Sequence, residues 1–168
     1  MPNDTGFMDP GSPSQAACPA DTEVSMSQLV LPNDTNLLGN LMGGRLLHWL
    51  DIVGALAATR HARRTVATVC FDSVVFCHPV RQGEMVTLRA RVVWAGRTSL
   101  RVIVRVEAEN LRTGAVAPTN HAFITFVALD DGGRPCPVPG VRPATAEDEQ
   151  LFREAQRRHD EAKKGGPA

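Results

Sequence analysis

The sequence predicts an α+β domain in which an antiparallel sheet of five to six strands wraps one long central helix, with a charged helix peripheral at the C-terminus. Three patterns carry that expectation. Between Met42 and His61 the residues Leu46, Leu47, Leu50, Val53, Gly54 and Ala57 recur at helical spacing, and no proline intervenes before Pro79. From Val86 to Ala108 the apolar period is two. No further core helix separates the later strands, so they are joined by hairpins rather than by parallel crossovers.

Taken in order, residues 1–20 are rich in Pro, Gly, Ser and Asp and are expected to form a disordered tail, because they offer too little apolar surface to offset the entropy of ordering. Residues 21–142 make up the folded domain. Its first strand falls within Thr22 to Leu31, and the turn formers from Pro32 to Asn40 make a loop after it. The long helix follows, with Ala55 and Ala58 on its other faces and few charges, as for a helix covered on more than one side. Thr65 to Phe76 is a β-branched strand that breaks at His78-Pro79. Val86, Leu88, Ala90, Val92 and Trp94 then alternate with polar residues, turn at Ala95-Gly96-Arg97, and continue as Leu100, Val102, Val104, Val106 and Ala108. Ala122 to Leu129 is apolar on both faces. It and Thr65–Phe76 are therefore expected nearest the sheet centre. Residues 143–168 hold the charged helix from Ala146 to Lys164, with Thr145 and Asp148 spaced as a capping box and Leu151, Phe152 and Ala155 as a short apolar stripe.

Charge and composition exclude several functions. Lys plus Arg and Asp plus Glu number 18 each, without a block of either sign, so nothing recruits nucleic acid or an anionic membrane. Cys18, Cys70, Cys77 and Cys136 form no Cys-x-x-Cys pair, and two of them lie in apolar runs where a free thiol acts as a small hydrophobe, a usage suited to a reducing compartment. With Asp4 and Asp9 in place of a basic, apolar leader and no run long enough to span a bilayer, a soluble cytoplasmic protein is expected. His78 beside Cys77 and downstream of Cys70 lacks the spacing for tetrahedral zinc, and no metal site is expected. Nucleophile-elbow, phosphate-loop and dinucleotide fingerprints are not found.

The junction of loop and helix holds the candidate chemistry. Gly43-Gly44 at the helix start either lets a ligand approach free N–H groups that would stabilise an oxyanion, or merely permits close packing. Asp51 lies two turns into the helix beside Leu47 and Ala55, too deep to cap it; such a carboxylate is solvated, paired with an arginine at a subunit boundary, or functional. His48, one turn earlier, reads as a surface or packing residue.

At these residues the chain resembles the hotdog-fold acyl-CoA thioesterases, in the branch of the YciA-like enzymes and the cytosolic brain acyl-CoA hydrolases. The likeness spans about Leu29 to Leu129 and rests on Pro32-x-Asp34-Thr35-Asn36-x-x-Gly39-Asn40-x-x-Gly43-Gly44, Asp51, Phe76-x-x-Pro79-Val80-x-x-Gly83-Glu84, Gly96-Arg97-Thr98-Ser99, and Thr113-Gly114 with Thr119-Asn120. It departs at Asn40, where the family often has Asp. The resemblance implies hydrolysis of an acyl-CoA, with no cofactor beyond the CoA of substrate and product. It implies a homodimer, assembled as a trimer of dimers, with each site shared between two subunits. Asp51 would serve as general base or as nucleophile, Asn36 of the neighbouring subunit would orient water or thioester, and the amide near Gly44 would hold the thioester oxygen. Gly43, Arg97, Thr98, Ser99, Thr119 and Asn120 match positions that contact CoA. Leu47, Trp49 and Phe76 are candidates for shaping the acyl groove. The competing readings are a hotdog hydratase, which would use a differently placed histidine, and a non-catalytic acyl-CoA sensor, for which no DNA-binding segment is present and which has no need of Asp51.

Overall fold

A computed structural model describes residues 16–164. It contains strands β1 (Val24–Leu29), β2 (Thr65–Phe76), β3 (Met85–Ala95), β4 (Ser99–Asn110) and β5 (Ala115–Leu129), with helix α1 (Gly43–Ala62) between the first two strands and α2 (Ala146–Lys164) after the last. The strands form one five-stranded antiparallel sheet in the order β1-β3-β4-β5-β2. No described helix is long and apolar enough to cross a membrane.

Alternation along the strands decides what each sheet face covers. Val86, Leu88, Ala90 and Val92 of β3, Leu100 to Val106 at every second position of β4, and Ala122, Ile124, Phe126 and Ala128 of β5 pack with Leu46, Trp49, Leu50, Val53, Ala57 and Ala58 of α1. The opposite face carries Val93, Trp94, Ile103 and Phe123, covered by Leu151, Phe152 and Ala155 of α2. The expected capping box starts α2: Thr145 Oγ1 accepts from the Asp148 N–H at 3.1 Å, and the Asp148 carboxylate accepts from the Thr145 N–H at 3.2 Å. Asp148 and Glu147 also pair with Arg91, and Glu147 pairs with Arg105, fastening the helix to β3 and β4.

The structure corrects several expectations. β2 lies at an edge of the sheet and not near its centre, so Val69 and Val75 are exposed, as are Cys70 and Cys77, which were expected to act as small hydrophobes. β5 begins at Ala115, seven residues before the expected start at Ala122. Pro118 disguises that half of the strand; it is tolerated because Thr119 is the extra residue of a bulge, Val106 pairing with Asn120 and Glu107 with Pro118. Most of the expected N-terminal tail lies outside the described residues, but its end, 16–20, is tied down: Ala17 bridges Val141, and Pro19–Thr22 form a 3-10 turn. α1 is covered on only part of its circumference, with Ile52 and Leu56 exposed.

Candidate active site

The loop before α1 is built around two side chains. Asp34 is buried; its carboxylate accepts the Leu31 N–H at 3.0 Å and pairs with Arg45 of α1 at 2.9 Å, fixing the loop to the first turn of the helix. Asn36 turns the chain: its Oδ1 accepts the N–H groups of Leu38 at 2.9 Å and Asn40 at 3.2 Å, while Gly39 takes the left-handed φ of 74° that the turn requires. The Asn36 amide nitrogen, and the side chains of Leu37 and Leu38, point to no partner among the described residues and are exposed.

Helix α1 starts without a side-chain cap at Met42. Its first intrahelical bond joins the Leu46 N–H to the Met42 carbonyl, so the N–H groups of Gly43, Gly44 and Arg45 have no acceptor among the described residues. Gly44 is exposed, and a Cβ there would meet nothing within 4 Å. Packing within the chain does not require that glycine. Three donors at the positive end of the helix dipole are thus without a backbone acceptor among the described residues.

Two turns on, Asp51 is half-buried, and its Oδ1 accepts a 2.6 Å hydrogen bond from Thr68 Oγ1 of β2. Among the described residues no arginine pairs with it. Thr68 escaped the sequence analysis because period-two counting from Phe71, which packs on the core, puts Thr68 on the far face. A bulge at Val69, between the pairs Thr68–Phe126 and Cys70–Thr125, returns it to the helix side. The signal available in the sequence was only a hydroxyl on the strand that follows the helix. His48 is exposed, and Trp49 is buried in the core rather than lining an open groove.

The remaining expected contacts divide into two places. The turn Arg97-Thr98-Ser99 lies at the Asp51 end of the sheet, since Leu100 and Thr68 both pair with Phe126. Its carbonyls have structural work as well: Arg97 O accepts the Val138 N–H at 3.0 Å and Thr98 O the Ala128 N–H at 2.9 Å. Thr119 and Asn120 are buried in the far half of the β4–β5 ladder, Thr119 bonded to the Val106 carbonyl at 3.3 Å and Asn120 Nδ2 to the Val75 carbonyl at 2.7 Å. Asn120 Oδ1 is buried without a hydrogen-bond partner among the described residues, and Arg105, His121 and Phe123 nearby line a hollow of about 340 Å³ on the outer sheet face. One chain gathers neither group of residues around Asp51 with Asn36.

The family model of the thioesterase superfamily matches residues 38–115. The uncharacterized acyl-CoA thioester hydrolase YkhA of Bacillus subtilis is 40% identical over 143 residues, 85% of this chain and 83% of that one. The chain belongs to the thioesterase superfamily. Its sheet around α1 is the hotdog fold of that superfamily: a hexameric acyl-CoA thioesterase solved in its apo form superposes with a TM-score of 0.86 at 40% identity, covering 89% of this chain and 96% of that one. The acyl-CoA hydrolase of Staphylococcus aureus, solved with butyryl-CoA and CoA, does so with a TM-score of 0.83 at 30% identity, over 88% and 90% of the two chains. The S. aureus protein has also been solved with single alanine replacements of an asparagine, an aspartate and a threonine. The intervals between those three positions along that chain are the intervals between Asn36, Asp51 and Thr68 in this superfamily member.

Proposed function

We propose that this chain hydrolyses acyl-CoA thioesters to the free acid and CoA, with Asp51 as the reacting carboxylate. The observation that carries the reading is the 2.6 Å bond from Thr68 to Asp51, which aims one carboxylate oxygen and leaves the other free for chemistry. The matching Asn, Asp and Thr positions in the S. aureus hydrolase support the same set of residues.

Two routes use this carboxylate. As a general base, Asp51 takes a proton from water, the resulting hydroxide attacks the thioester carbon, and the tetrahedral intermediate expels the CoA thiolate, which takes up a proton. As a nucleophile, it forms a mixed anhydride with release of CoA, and water then hydrolyses the anhydride. In both, negative charge develops on the thioester oxygen, and the uncapped N–H groups at Gly43 and Gly44 suit that charge. Trapping with hydroxylamine in a single turnover distinguishes the routes, since only an anhydride on Asp51 leaves a hydroxamate there.

The site is completed by a second copy of the chain. Asn36 makes no contact with Asp51 within one subunit, while its free amide, Leu37 and Leu38 project from a rigid loop. The open edge of β2 and the exposed Ile52 and Leu56 of α1 offer surfaces for that copy, and similar acyl-CoA thioesterases are hexamers. Arg97, Thr98 and Ser99, together with Gly43, Thr119 and Asn120 of either subunit, are the proposed CoA contacts.

The test is release of CoA thiol from acyl-CoAs of different chain length by the unmodified protein and by Asp51→Asn. Turnover that collapses in the variant supports the reading. Binding of acyl-CoA without turnover at any chain length overturns it and leaves a sensing module.

A further inference from the structure

Arg101 of β4 is among the largest fully buried side chains, and its guanidinium pairs with Asp72 of β2 on the sheet face away from α1. Such a pair seldom stabilises a fold more than apolar residues of the same volume would, because both ions lose their hydration. Its position suggests what it does instead. Asp72 is itself the extra residue of a second bulge, between the pairs Phe71–Ile124 and Ser73–Phe123. Its carboxylate gathers Arg101 Nη1, Thr125 Oγ1 at 3.3 Å and Cys70 Sγ at 3.2 Å. Arg101, Thr125 and Cys70 are successive cross-strand partners, so this cluster ties the β2 edge to β5 and β4 at one level of the sheet.

The geometry points to Asp72 and Arg101 as positioning residues that lock the irregular register of β2 and thereby hold Thr68 against Asp51. The inference rests on the catalytic role of Asp51 given above. A strand shifted by one residue turns every side chain to the other face. If the bulge at Val69 were smoothed out while Phe71 stayed in the core, Thr68 would leave the helix side and Asp51 would lose its donor. Because Asp72 is the extra residue, Ser73 pairs with Phe123 of the outer face, where regular alternation from Phe71 would turn it to the core.

The experiment is a double-mutant cycle on acyl-CoA hydrolysis between Asp72→Asn and Thr68→Val, whose side chains do not touch, with Asp51→Asn as the control. The charge-free pair Asp72→Leu/Arg101→Met is measured alongside, because it avoids leaving a buried arginine unpaired and keeps the fold assayable. Loss of the Thr68 bond to a carboxylate is expected to cost about tenfold or more in kcat. Asp72→Asn and the charge-free pair should lower kcat with KM little changed, and neither should lower it further in the Thr68→Val background. Losses that multiply across the cycle, or a folded Asp72 variant with full kcat, overturn the positioning role while Asp51→Asn remains inactive. Turnover retained in Asp51→Asn instead removes the catalytic reading on which the inference rests.

Discussion

Gly54 of α1 lies against Phe126 of β5 so closely that a Cβ on the glycine would sit 3.0 Å from the ring. Phe126 is the cross-strand partner of Thr68, and Gly54 is three residues from Asp51. The missing side chain therefore sets the gap between helix and sheet that the Asp51–Thr68 bond spans. Gly54→Val is expected to lower stability by about 1–3 kcal/mol through overpacking. It should also reduce kcat more than a stability loss of that size explains, as thermal unfolding and steady-state rates on one preparation will show.

The proposed sharing of the site between subunits predicts complementation. Asp51→Ala and Asn36→Ala proteins, each inactive, should regain activity when their subunits are exchanged, because some mixed dimers hold one intact site. Mass spectrometry of the mixture confirms that exchange has occurred; inactive mixed oligomers would overturn the shared site.

Acid should loosen the fold through His61. Burial pushes its pKa below the ordinary 6.5, against the smaller opposing effect of the bond between Nε2 and the Pro139 carbonyl at 2.8 Å. Nδ1 is buried without a partner among the described residues, so a proton there has no acceptor among them. Below pH 6.5 the unfolded chain binds a proton that the folded chain resists, so this contribution is complete above that pH and is lost as pH falls. His61→Gln should flatten the fall in melting temperature between about pH 7 and pH 5. An unchanged slope would remove His61 as its source. Glu147, held below the usual carboxylate range chiefly by its hydrogen bond from Arg105, acts in the same direction at lower pH, and being exposed it acts weakly.

Asp148→Ala removes the carboxylate of the α2 capping box and leaves Arg91 with only Glu147. A loss of about 0.5–2 kcal/mol is expected from the cap. Hydrogen exchange should quicken in α2 first, with α1 and the inner strands still protected.

How much of this was legible in the sequence follows from which physical signals are local. Helical spacing from Leu46 to Ala57 and alternation from Val86 to Ala108 are local, and both elements stand where those patterns place them. The capping box of α2 is equally local. Strand order is not: β2 is rich in β-branched residues yet lies at an edge, since that composition does not show on which side a neighbouring strand lies. Bulges hide in the same way. Those at Val69 and Asp72 reverse the face count twice within a few residues, and so Thr68 and Arg101 were invisible as partners of Asp51 and Asp72. Gly44 and Asp51 stood out at the loop–helix junction from residue type and position, with packing and pairing as open alternatives, whereas Asn36 and the roles of all three came from the resemblance.

The strand order also has a consequence for how the chain folds. β3, β4 and β5 are successive hairpin partners at the centre of the sheet, while β1 and β2, made earlier in sequence, join its two flanks only by closing long loops. Short-range closure is the faster, so the central meander is the natural nucleus and β2 docks late. Substitutions in the β3–β4 and β4–β5 hairpins should then slow folding, and substitutions in β2 should mainly hasten unfolding. The strand that carries Thr68 to Asp51 is thus among the last parts to arrive and the first to leave, and if Asp51 reacts as proposed, activity will report partial opening before the core registers it.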